Sequence, residues 1–239
     1  GGGAPRALRA CLAARGLVAP DAPWRALRGG RTNRLWRVGA AVVKLYRSDR
    51  ATPLFPNDPQ AERAALAAFA PLGLAPRPHA LVETPLGPAL VYAHVPGTAW
   101  DGDGAALAAC LGRLHRAAAR PAAFGLRASG GAALEAMTAR LLAALPASAA
   151  RRLPPAGRRA AAVPPVSAPV PIHCDVVPTN VIVSAAGPVL IDWQCPALGD
   201  PCEDLASVLS PAMQALYRGA PLSPAAEEAF LAACPDRAA

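Results

Sequence analysis

The spacing of apolar residues along the chain predicts short strands first and mostly helices later. Apolar runs of strand length lie at 35–38, 42–46, 80–83 and 88–93. Two more runs, at 181–183 and 189–191, flank the turn residues Ser-Ala-Ala-Gly-Pro and predict a hairpin. Helical spacing predicts helices over 5–15, 58–70, 104–118, 130–145, 200–209, 211–219 and 223–234, with a short helix near 155–162.

Polar side chains lie at the two open ends of the hairpin. His173, Asp175 and Asn180 precede its first strand, and Asp192 follows its second. Because a hairpin returns both ends to the same side, Asp175, Asn180 and Asp192 should converge. Hard oxygen ligands suit Mg²⁺, so Asn180 and Asp192 are predicted metal ligands. Asp175 is then predicted to receive the proton of an attacking hydroxyl, as in kinases. The alternative for any one of them is a structural role in a capped, polar loop.

Two charged residues in the first part of the chain also have two interpretations each. Lys44 alternates with Val43 and Leu45 on a predicted strand, so it points to the opposite face. It is either a solvated charge or a ligand of the α- and β-phosphates in a cleft. Glu62 lies close to the apolar stripe of the predicted helix over 58–70. It either pairs with Lys44, since a carboxylate beside apolar groups requires a partner, or only benefits from the helix dipole.

The positive net charge raises the alternative of a nucleic-acid-binding protein. Lys and Arg number 24 and Asp and Glu number 16, which gives a net charge of +8. The positive residues are scattered, with small clusters only at 151–152 and 158–159, and no interleaved aromatic residues accompany them. A basic surface that attracts nucleotide phosphates is the better explanation, so no nucleic-acid partner is predicted.

Cysteine spacing and hydropathy predict a reduced, cytoplasmic protein with no membrane partner. The six cysteines contain no C-x-x-C pair, and no His lies at zinc-finger spacing. No apolar run reaches the roughly 18 residues that a membrane span needs, and no secretory signal pattern is present. The first residue is glycine rather than methionine, so we expect a trimmed or partial N-terminus.

The segment 172–206 resembles a known family. Its spacing His-x-Asp-x4-Asn, followed by Ile-Asp, is similar to the catalytic loop and the metal-binding Asp of kinases. Trp193 replaces the Phe of the D-F-G motif, and no Gly follows. With Gly-Asp-Pro at 199–201 and Asp-Leu-Ala at 204–206, the segment resembles the aminoglycoside phosphotransferase and choline/ethanolamine/thiamine kinase family. The resemblance implies that Asp200, which could also cap a helix, steadies the catalytic loop. Asp204 could do the same or could simply occupy the favourable first turn of that helix.

This resemblance implies an α+β, two-lobed protein-kinase-like fold that uses ATP and Mg²⁺. The N-lobe, residues 1–93, would be a small antiparallel sheet with one helix, and the C-lobe, residues 94–239, would be mainly helical. Lys44 would bind the phosphates of the nucleotide, and Glu62 would orient Lys44. Further implied nucleotide-binding residues are Gly29, Gly30, Thr32 and Asn33 of a glycine-containing loop, and Tyr92, Ala93, His94 and Val95 of a hinge whose backbone binds adenine.

The expected activity is transfer of the ATP γ-phosphoryl group to a small-molecule alcohol. The Gly-Gly-x-Thr-Asn loop is similar to that of choline- and thiamine-kinase-like members, which favours an amino alcohol of the choline, ethanolamine or thiamine type. Trp193 and Glu203 are the predicted acceptor-binding residues, since a cationic acceptor needs an aromatic wall or a carboxylate. An aminoglycoside is the alternative acceptor. A kinase-like protein that binds nucleotide without catalysis is the alternative from another class.

Overall fold

The computed structural model describes residues 3–27, 32–146, 148 and 162–235, and the first part of the chain forms a five-stranded antiparallel sheet. Its strands are β1 (Trp24–Ala26), β2 (Arg34–Val38), β3 (Ala41–Leu45), β4 (Pro78–Thr84) and β5 (Gly87–Ala93). They pair in the order β1-β2-β3-β5-β4, with every neighbouring pair antiparallel. β3 is therefore paired on both edges, and its side chains from Val42 to Leu45 are buried on the two faces of the sheet.

Helices dominate the chain after this sheet. Within the described residues, the helices are α1 (Arg6–Ala14), α2 (Pro59–Phe69), α3 (Gly104–His115), α4 (Gly131–Ala143), α5 (Cys202–Leu209), α6 (Pro211–Arg218) and α7 (Pro224–Ala233). The first two pack on opposite faces of the five-stranded sheet. Val43 and Leu45 of β3 point to the α1 face, and Val42 and Tyr46 point to the α2 face. This alternation follows from the two-residue period of a strand, and it places Lys44 on the α2 face.

Two small sheets build the part of the molecule that follows. Their strands are β6 (Thr98–Ala99), β7 (Gly125–Leu126), β8 (Val170–Ile172), β9 (Val181–Ser184), β10 (Gly187–Leu190) and β11 (Ala197–Gly199). β9 and β10 form the predicted hairpin, and β6 adds to its other edge in the order β10-β9-β6. The second sheet has the order β7-β11-β8, so the strand that leads into the catalytic loop lies beside the strand that follows Asp192.

One apolar core joins the α2 face of the first sheet to the helical part. It includes Phe69 of α2, Leu111 of α3 and Trp193 beside the hairpin, all buried. The ring centroids of Phe69 and Trp193 lie 5.1 Å apart in a stacked arrangement. The N–H of Leu190 on β10 donates to the carbonyl of Leu74 at 2.9 Å. The hairpin is thus fixed against the residues that follow α2, with its open ends directed towards β3.

Two glycines of α3 allow the C-terminal part of the chain to pack closely. A Cβ atom added to Gly104 would lie 2.9 Å from Cβ of Phe230, and one added to Gly112 would lie 2.6 Å from Cγ of Pro235. Phe230 of α7 is fully buried. Larger side chains at these two positions of α3 would therefore push α7 away.

The predicted elements match the described ones closely, and the misses are short. The strands and helices expected from the apolar spacing are present within a few residues of their predicted ends, whereas β1, β6, β7, β8 and β11, of two or three residues each, were not predicted. The helix expected near 155–162 lies outside the described residues, apart from 162. The division into lobes at residue 93 stays a prediction, although β5 ends there and β6 already pairs with β9. No helix in the described part of the chain could span a membrane.

Candidate active site

Asp204 fixes the loop that carries Asp175. This fully buried carboxylate of α5 accepts the backbone N–H groups of His173, at 3.0 and 3.2 Å, and of Cys174, at 2.8 Å. It also contacts Nε2 of His115 on α3 at 3.0 Å. Asp200 instead accepts the N–H of Cys202 at 2.9 Å, within its own turn. Of the two expected motifs, the one at 204–206 therefore supplies the carboxylate that steadies the loop.

His173 connects the catalytic loop to the segment that carries Asp192. Its Nε2 lies 3.0 Å from the carbonyl of Ile191, and its Nδ1 accepts the N–H of Asp175 at 3.3 Å. Because Nδ1 is an acceptor, the proton of the neutral ring must reside on Nε2, which then donates to Ile191. Complete burial lowers the pKa of His173, which favours this neutral form. The histidine supports the loop rather than transferring protons.

The three oxygen-bearing side chains predicted to converge do so. Asp175, Asn180 and Asp192 line one cleft of about 270 Å³, together with Thr32 from the glycine-containing segment. Nδ2 of Asn180 donates to Oδ2 of Asp175 at 2.9 Å, and the N–H of Ile191 donates to the carbonyl of Asn180 at 2.8 Å. Burial, with the neighbouring carboxylate of Asp192, raises the pKa of Asp175 to about 6. Asp175 is therefore mainly ionised at neutral pH and able to accept a proton.

Lys44 lies at the centre of a buried ionic cluster, which excludes a solvated surface charge. Its Nζ is 2.5 Å from Oε2 of Glu62 and also bonds to Oδ1 of Asp192. Burial alone would lower the pKa of Lys44, but Asp192 and Glu62 outweigh it and the pKa is raised, so the ammonium stays charged. The hydroxyl of Tyr46 donates to the same Oε2 of Glu62. Burial raises the pKa of Glu62, and its other oxygen is buried without a hydrogen-bond partner in the described structure.

The oxygen donors in the cleft fit a magnesium ion. Asn180 uses its amide nitrogen on Asp175, so its amide oxygen remains as a ligand. Asp192 uses Oδ1 on Lys44 and retains its second carboxylate oxygen. One carboxylate and one amide oxygen are the hard donors that Mg²⁺ takes when phosphates and waters complete its coordination. The described residues contain no group of three or more His, Cys, Asp or Glu side chains that would form a complete protein cage for a metal.

The side chain of Asn33 is hydrogen-bonded to other residues of the protein. The side chain is buried, and both its oxygen and its nitrogen are used within the protein. Nδ2 donates to Oδ1 of Asn57 at 2.6 Å and to Oε1 of Gln194 at 3.2 Å, while Oδ1 accepts the N–H of Arg47 at 3.1 Å. The side chain of Asn33 is therefore fully used within the protein, and its place among the nucleotide-binding residues stays a prediction that only its main chain could fulfil. Gly29 and Gly30 lie outside the described residues.

Of the two predicted acceptor-binding residues, the structure contradicts Trp193, whereas Glu203 stays a prediction. Trp193 is fully buried, stacks on Phe69 and lies 4.4 Å from His173 between ring centroids. An indole enclosed by the core cannot form the wall of an acceptor site. Glu203 is held by Arg127, whose Nε lies 2.5 Å from Oε2, and it does not line the cleft of Asp175.

The expected hinge residues lie at the end of β5, but two of their N–H groups are already used. The N–H of Ala93 donates to the carbonyl of Arg77, and the N–H of His94 donates to the carbonyl of Ala40, both at 2.8 Å. Tyr92 is buried and pairs with Val42 of β3. Among the described backbone hydrogen bonds, none uses the N–H of Val95. If this segment binds adenine, Val95 is the residue with an N–H to offer.

Tyr46 and Gln194 are polar residues of the site that sequence reasoning missed. Tyr46 lies two residues after Lys44, so the strand period alone places both side chains on one face, and that signal was present in the sequence. Gln194 lies two residues after Asp192 and lines the same cleft. No periodic pattern or motif marks Gln194, because its partners are distant along the chain.

The fold and the cleft together define a protein of the protein-kinase-like class. The chain belongs to the Phosphotransferase enzyme family, whose family model matches residues 23–239. A choline/ethanolamine kinase family protein from Mesorhizobium loti has a similar structure, with a TM-score of 0.63, 21% identity, and coverage of 95% of this chain and 80% of that chain. A choline kinase from Streptococcus pneumoniae gives a TM-score of 0.58 at 20% identity, covering 96% of this chain and 79% of that chain.

Aminoglycoside phosphotransferases are similar to the same degree. The enzyme from Streptomyces rimosus, solved in complex with ADP and streptomycin, gives a TM-score of 0.63 at 21% identity, covering 95% of this chain and 91% of that chain. Comparison with curated protein sequences gave no match. The structural likenesses therefore show the two-lobed fold, and they include both acceptor classes without deciding between them.

Proposed function

We propose that this protein transfers the γ-phosphoryl group of ATP to the hydroxyl of a small amino alcohol of the choline, ethanolamine or thiamine type. The observation that carries this proposal is the meeting of Asp175, Asn180 and Asp192 in one cleft beside the buried Lys44–Glu62 pair. Membership of a phosphotransferase family and the ADP bound to one structural relative support the use of a nucleotide. Phosphoryl transfer depends on the positioning of the reacting groups and on neutralisation of the phosphate charge, and the residues of this cleft are arranged for both.

Each residue of the cleft has its own role in the proposed reaction. Asp175, mainly ionised at neutral pH, accepts the proton of the acceptor hydroxyl at its carboxylate. Asn180 and Asp192 would hold Mg²⁺, which supplies neutralisation of the β- and γ-phosphate charge when bound. Lys44 binds phosphate oxygens while Glu62 holds its ammonium in place. Thr32, the backbone groups of Tyr92, Ala93 and His94, and the N–H of Val95 remain as further predicted nucleotide contacts among the described residues.

The lining of the cleft favours a small acceptor with one positive charge over a polycationic aminoglycoside. Beside the catalytic groups, the lining is aromatic and apolar on one side, with Phe55, Met213, Leu216 and Tyr217. An aromatic wall attracts a single quaternary or primary ammonium group. Asp175 and Asp192 are the acidic side chains of the lining, and Arg50 is also present. Several ammonium groups would lack carboxylate partners there, so an aminoglycoside is the second candidate.

The test is an acceptor screen with ATP and Mg²⁺, using choline, ethanolamine, thiamine and a set of aminoglycosides. We expect ADP release that depends on one of the amino alcohols. Asp175→Asn should lower kcat by about 10²–10⁴-fold, because the hydroxyl proton loses its acceptor. Asp21→Asn, at an exposed position far from the hairpin along the chain, is the matched control and should leave kcat unchanged.

Each alternative predicts a different result from the same protein preparation. Phosphotransfer that survives Asp175→Asn would refute the base assignment. Tight ATP binding with no turnover over the whole screen would establish a non-catalytic nucleotide-binding protein. A nucleic-acid-binding function would appear as binding of DNA or RNA whose affinity falls steeply with salt, as phosphate contacts require.

A further inference from the structure

Three buried amide side chains form a connected group between the first sheet and the segment that follows Asp192. Asn33, Asn57 and Gln194 are 6%, 6% and 5% exposed. Nδ2 of Asn33 donates to Asn57 at 2.6 Å and to Gln194 at 3.2 Å, and Nδ2 of Asn57 donates back to Oδ1 of Asn33 at 3.1 Å. We call these three residues the amide cluster.

Backbone hydrogen bonds anchor the amide cluster to four parts of the chain. Asn33 accepts the N–H of Arg47, and Asn57 donates to the carbonyl of Arg47 at 3.0 Å, which fixes the residues after β3. The N–H of Asp58 donates to the carbonyl of Gln194 at 3.1 Å, which fixes the start of α2. The cluster therefore joins the start of β2, the end of β3, the start of α2 and the loop after Asp192. Lys44 lies on β3 and Glu62 on α2.

The backbone at both ends of this connection needs support from its surroundings. Asn57 has a φ of 54° and Asp192 has a φ of 63°, both in the left-handed region that is costly for residues other than glycine. Such conformations persist only where neighbouring contacts determine them. Asp192 is followed by the buried ring of Trp193 and then by Gln194 of the amide cluster. The amide cluster thus lies beside Asp192 on its C-terminal side, and the ion pair with Lys44 and the bonds of Ile191 support Asp192 from the other sides.

Apolar side chains in place of the amide cluster could join the same segments, and no polar group would then have to be removed from water. Buried amides are tolerated when every polar group has a partner, and their directional bonds then specify one geometry. The geometry that this cluster specifies is the distance between the loop of Asp192 and the two elements that carry Lys44 and Glu62. That distance decides whether Asp192 can contact both the lysine and a metal ion.

We propose that Asn33, Asn57 and Gln194 are positioning residues, which set Asp192 against Lys44 and Glu62 for phosphoryl transfer. This inference rests on the proposed function, because it assigns a role in that reaction. Among the described residues, no hydrogen bond from the side chains of the amide cluster reaches Asp175, Asn180 or Asp192, although Gln194 lines the same cleft. The cluster acts through the loop of Asp192 and through the first turn of α2, so its removal lowers the rate of the chemical step more than the affinity for the acceptor.

The variant Gln194→Met removes the acceptor oxygen while keeping the length of the side chain. We expect kcat to fall about tenfold, because small misplacements of catalytic groups reduce rates by one to two orders of magnitude. The acceptor KM should change by less than about twofold, since uniform binding is not affected. Gln60→Met, the same exchange at an exposed residue of α2, is the matched control and should leave kcat unchanged.

Asn33→Ala and the double variant test whether the residues act as one unit. If they do, adding Gln194→Met to Asn33→Ala causes little further loss of kcat, because the contact is already broken. Losses that multiply would overturn the proposal, as would an unchanged kcat in Gln194→Met. A higher acceptor KM with unchanged kcat would also overturn it, since Gln194 would then act directly on the acceptor in the cleft.

Hydrogen exchange separates this proposal from the proposed function. The main-chain N–H of Asp58 donates to the main-chain carbonyl of Gln194, which Gln194→Met retains, so the variant acts on this bond only by loosening the segment that the side-chain amides hold. Exchange of this N–H in the protein without ligands should then be at least fivefold faster in Gln194→Met than in the wild type. Unchanged exchange at Asp58 would overturn the amide cluster as a connection even in an active enzyme. A wild-type protein that exchanges as expected but phosphorylates no acceptor would refute the proposed function instead.

Discussion

Lys44 lies between two carboxylates that have different second partners. Oε2 of Glu62 also accepts the hydroxyl of Tyr46, whereas Asp192 has one oxygen left for another ligand. A buried ammonium without a partner is costly, so Lys44 must keep at least one of them. Glu62 has no role as a metal ligand in the proposed reaction, so it is the partner dedicated to Lys44, and Tyr46 is important because it orients Glu62.

The variant Tyr46→Phe tests this arrangement. Removal of the hydroxyl leaves Glu62 with Lys44 as its single hydrogen-bond donor in a buried site, so the carboxylate can rotate away from the lysine. We expect kcat to fall about three- to tenfold, with the affinity for the acceptor unchanged. Steady-state kinetics with ATP and the preferred acceptor measure the effect. If Tyr46→Phe lowered kcat equally in wild-type and Glu62→Gln backgrounds, the hydroxyl would not act through Glu62.

At the scale of residues, the sequence predicted the charged groups better than the amides. Lys44 and Glu62 were paired because each needed an explanation: a lysine on a strand and a carboxylate beside an apolar stripe. Asn33 was assigned to a nucleotide and Trp193 to an acceptor, and both are committed to the protein interior. Periodicity gives the face on which a side chain lies, but it does not show which distant residue meets that face. Gln194 is 161 residues away from Asn33, so no local pattern could join them.

Helix α2 transmits constraints from its first turn to the site. Asp58 caps the helix by accepting the N–H groups of Gln60 at 2.8 Å and Ala61 at 3.1 Å, and Glu62 follows in the same turn. A side-chain oxygen at this position satisfies N–H groups that have no partner within the helix. Fraying of the first turn would release Glu62 from Lys44.

We expect Asp58→Ala to lower both stability and activity. The loss of a helix cap should reduce the free energy of unfolding by about 1 kcal/mol, measured by urea denaturation. The activity should fall as well, because the turn that carries Glu62 becomes less ordered. Asp103→Ala removes the corresponding cap of α3, where Asp103 accepts the N–H of Ala105 at 3.2 Å. This control should show a similar loss of stability without the loss of kcat, and equal losses of kcat would disprove the link through α2.

At the scale of elements, apolar spacing was sufficient for the long segments and insufficient for the short ones. The alternation over β3 correctly predicted both the strand and the opposite orientation of Lys44. β7 and β11 have two and three residues, and their pairing depends on where the rest of the chain brings them. The convergence at the hairpin was predictable because a hairpin has fixed geometry whatever surrounds it.

The cleft between the sheet and the helical part makes the stability of the whole molecule depend on its ligands. A ligand present at 100 times its Kd stabilises the folded state by about 2.7 kcal/mol. We expect Mg²⁺ with ATP to raise the melting temperature more than ATP in the presence of a chelator, because without the ion the negative phosphates would lie beside the carboxylates of Asp175 and Asp192.

Asp192→Asn is the variant that tests the metal part of this expectation. In it, ATP with Mg²⁺ and ATP with a chelator should give the same melting temperature, measured by scanning fluorimetry or calorimetry. Asp21→Asn serves again as the matched control and should keep the difference. A difference that persists in Asp192→Asn would mean that the ion is held by other residues.

The close approach of α3 and α7 has a consequence for the folding of the chain during its synthesis on the ribosome. Gly104 and Gly112 leave a strip of α3 without side chains, and Phe230 of α7 and Pro235, just after α7, pack against that strip. α7 is synthesised after every other described helix, so the nascent chain carries this strip uncovered until its last described helix emerges. The helical part must therefore complete its interior after translation of nearly the entire described chain.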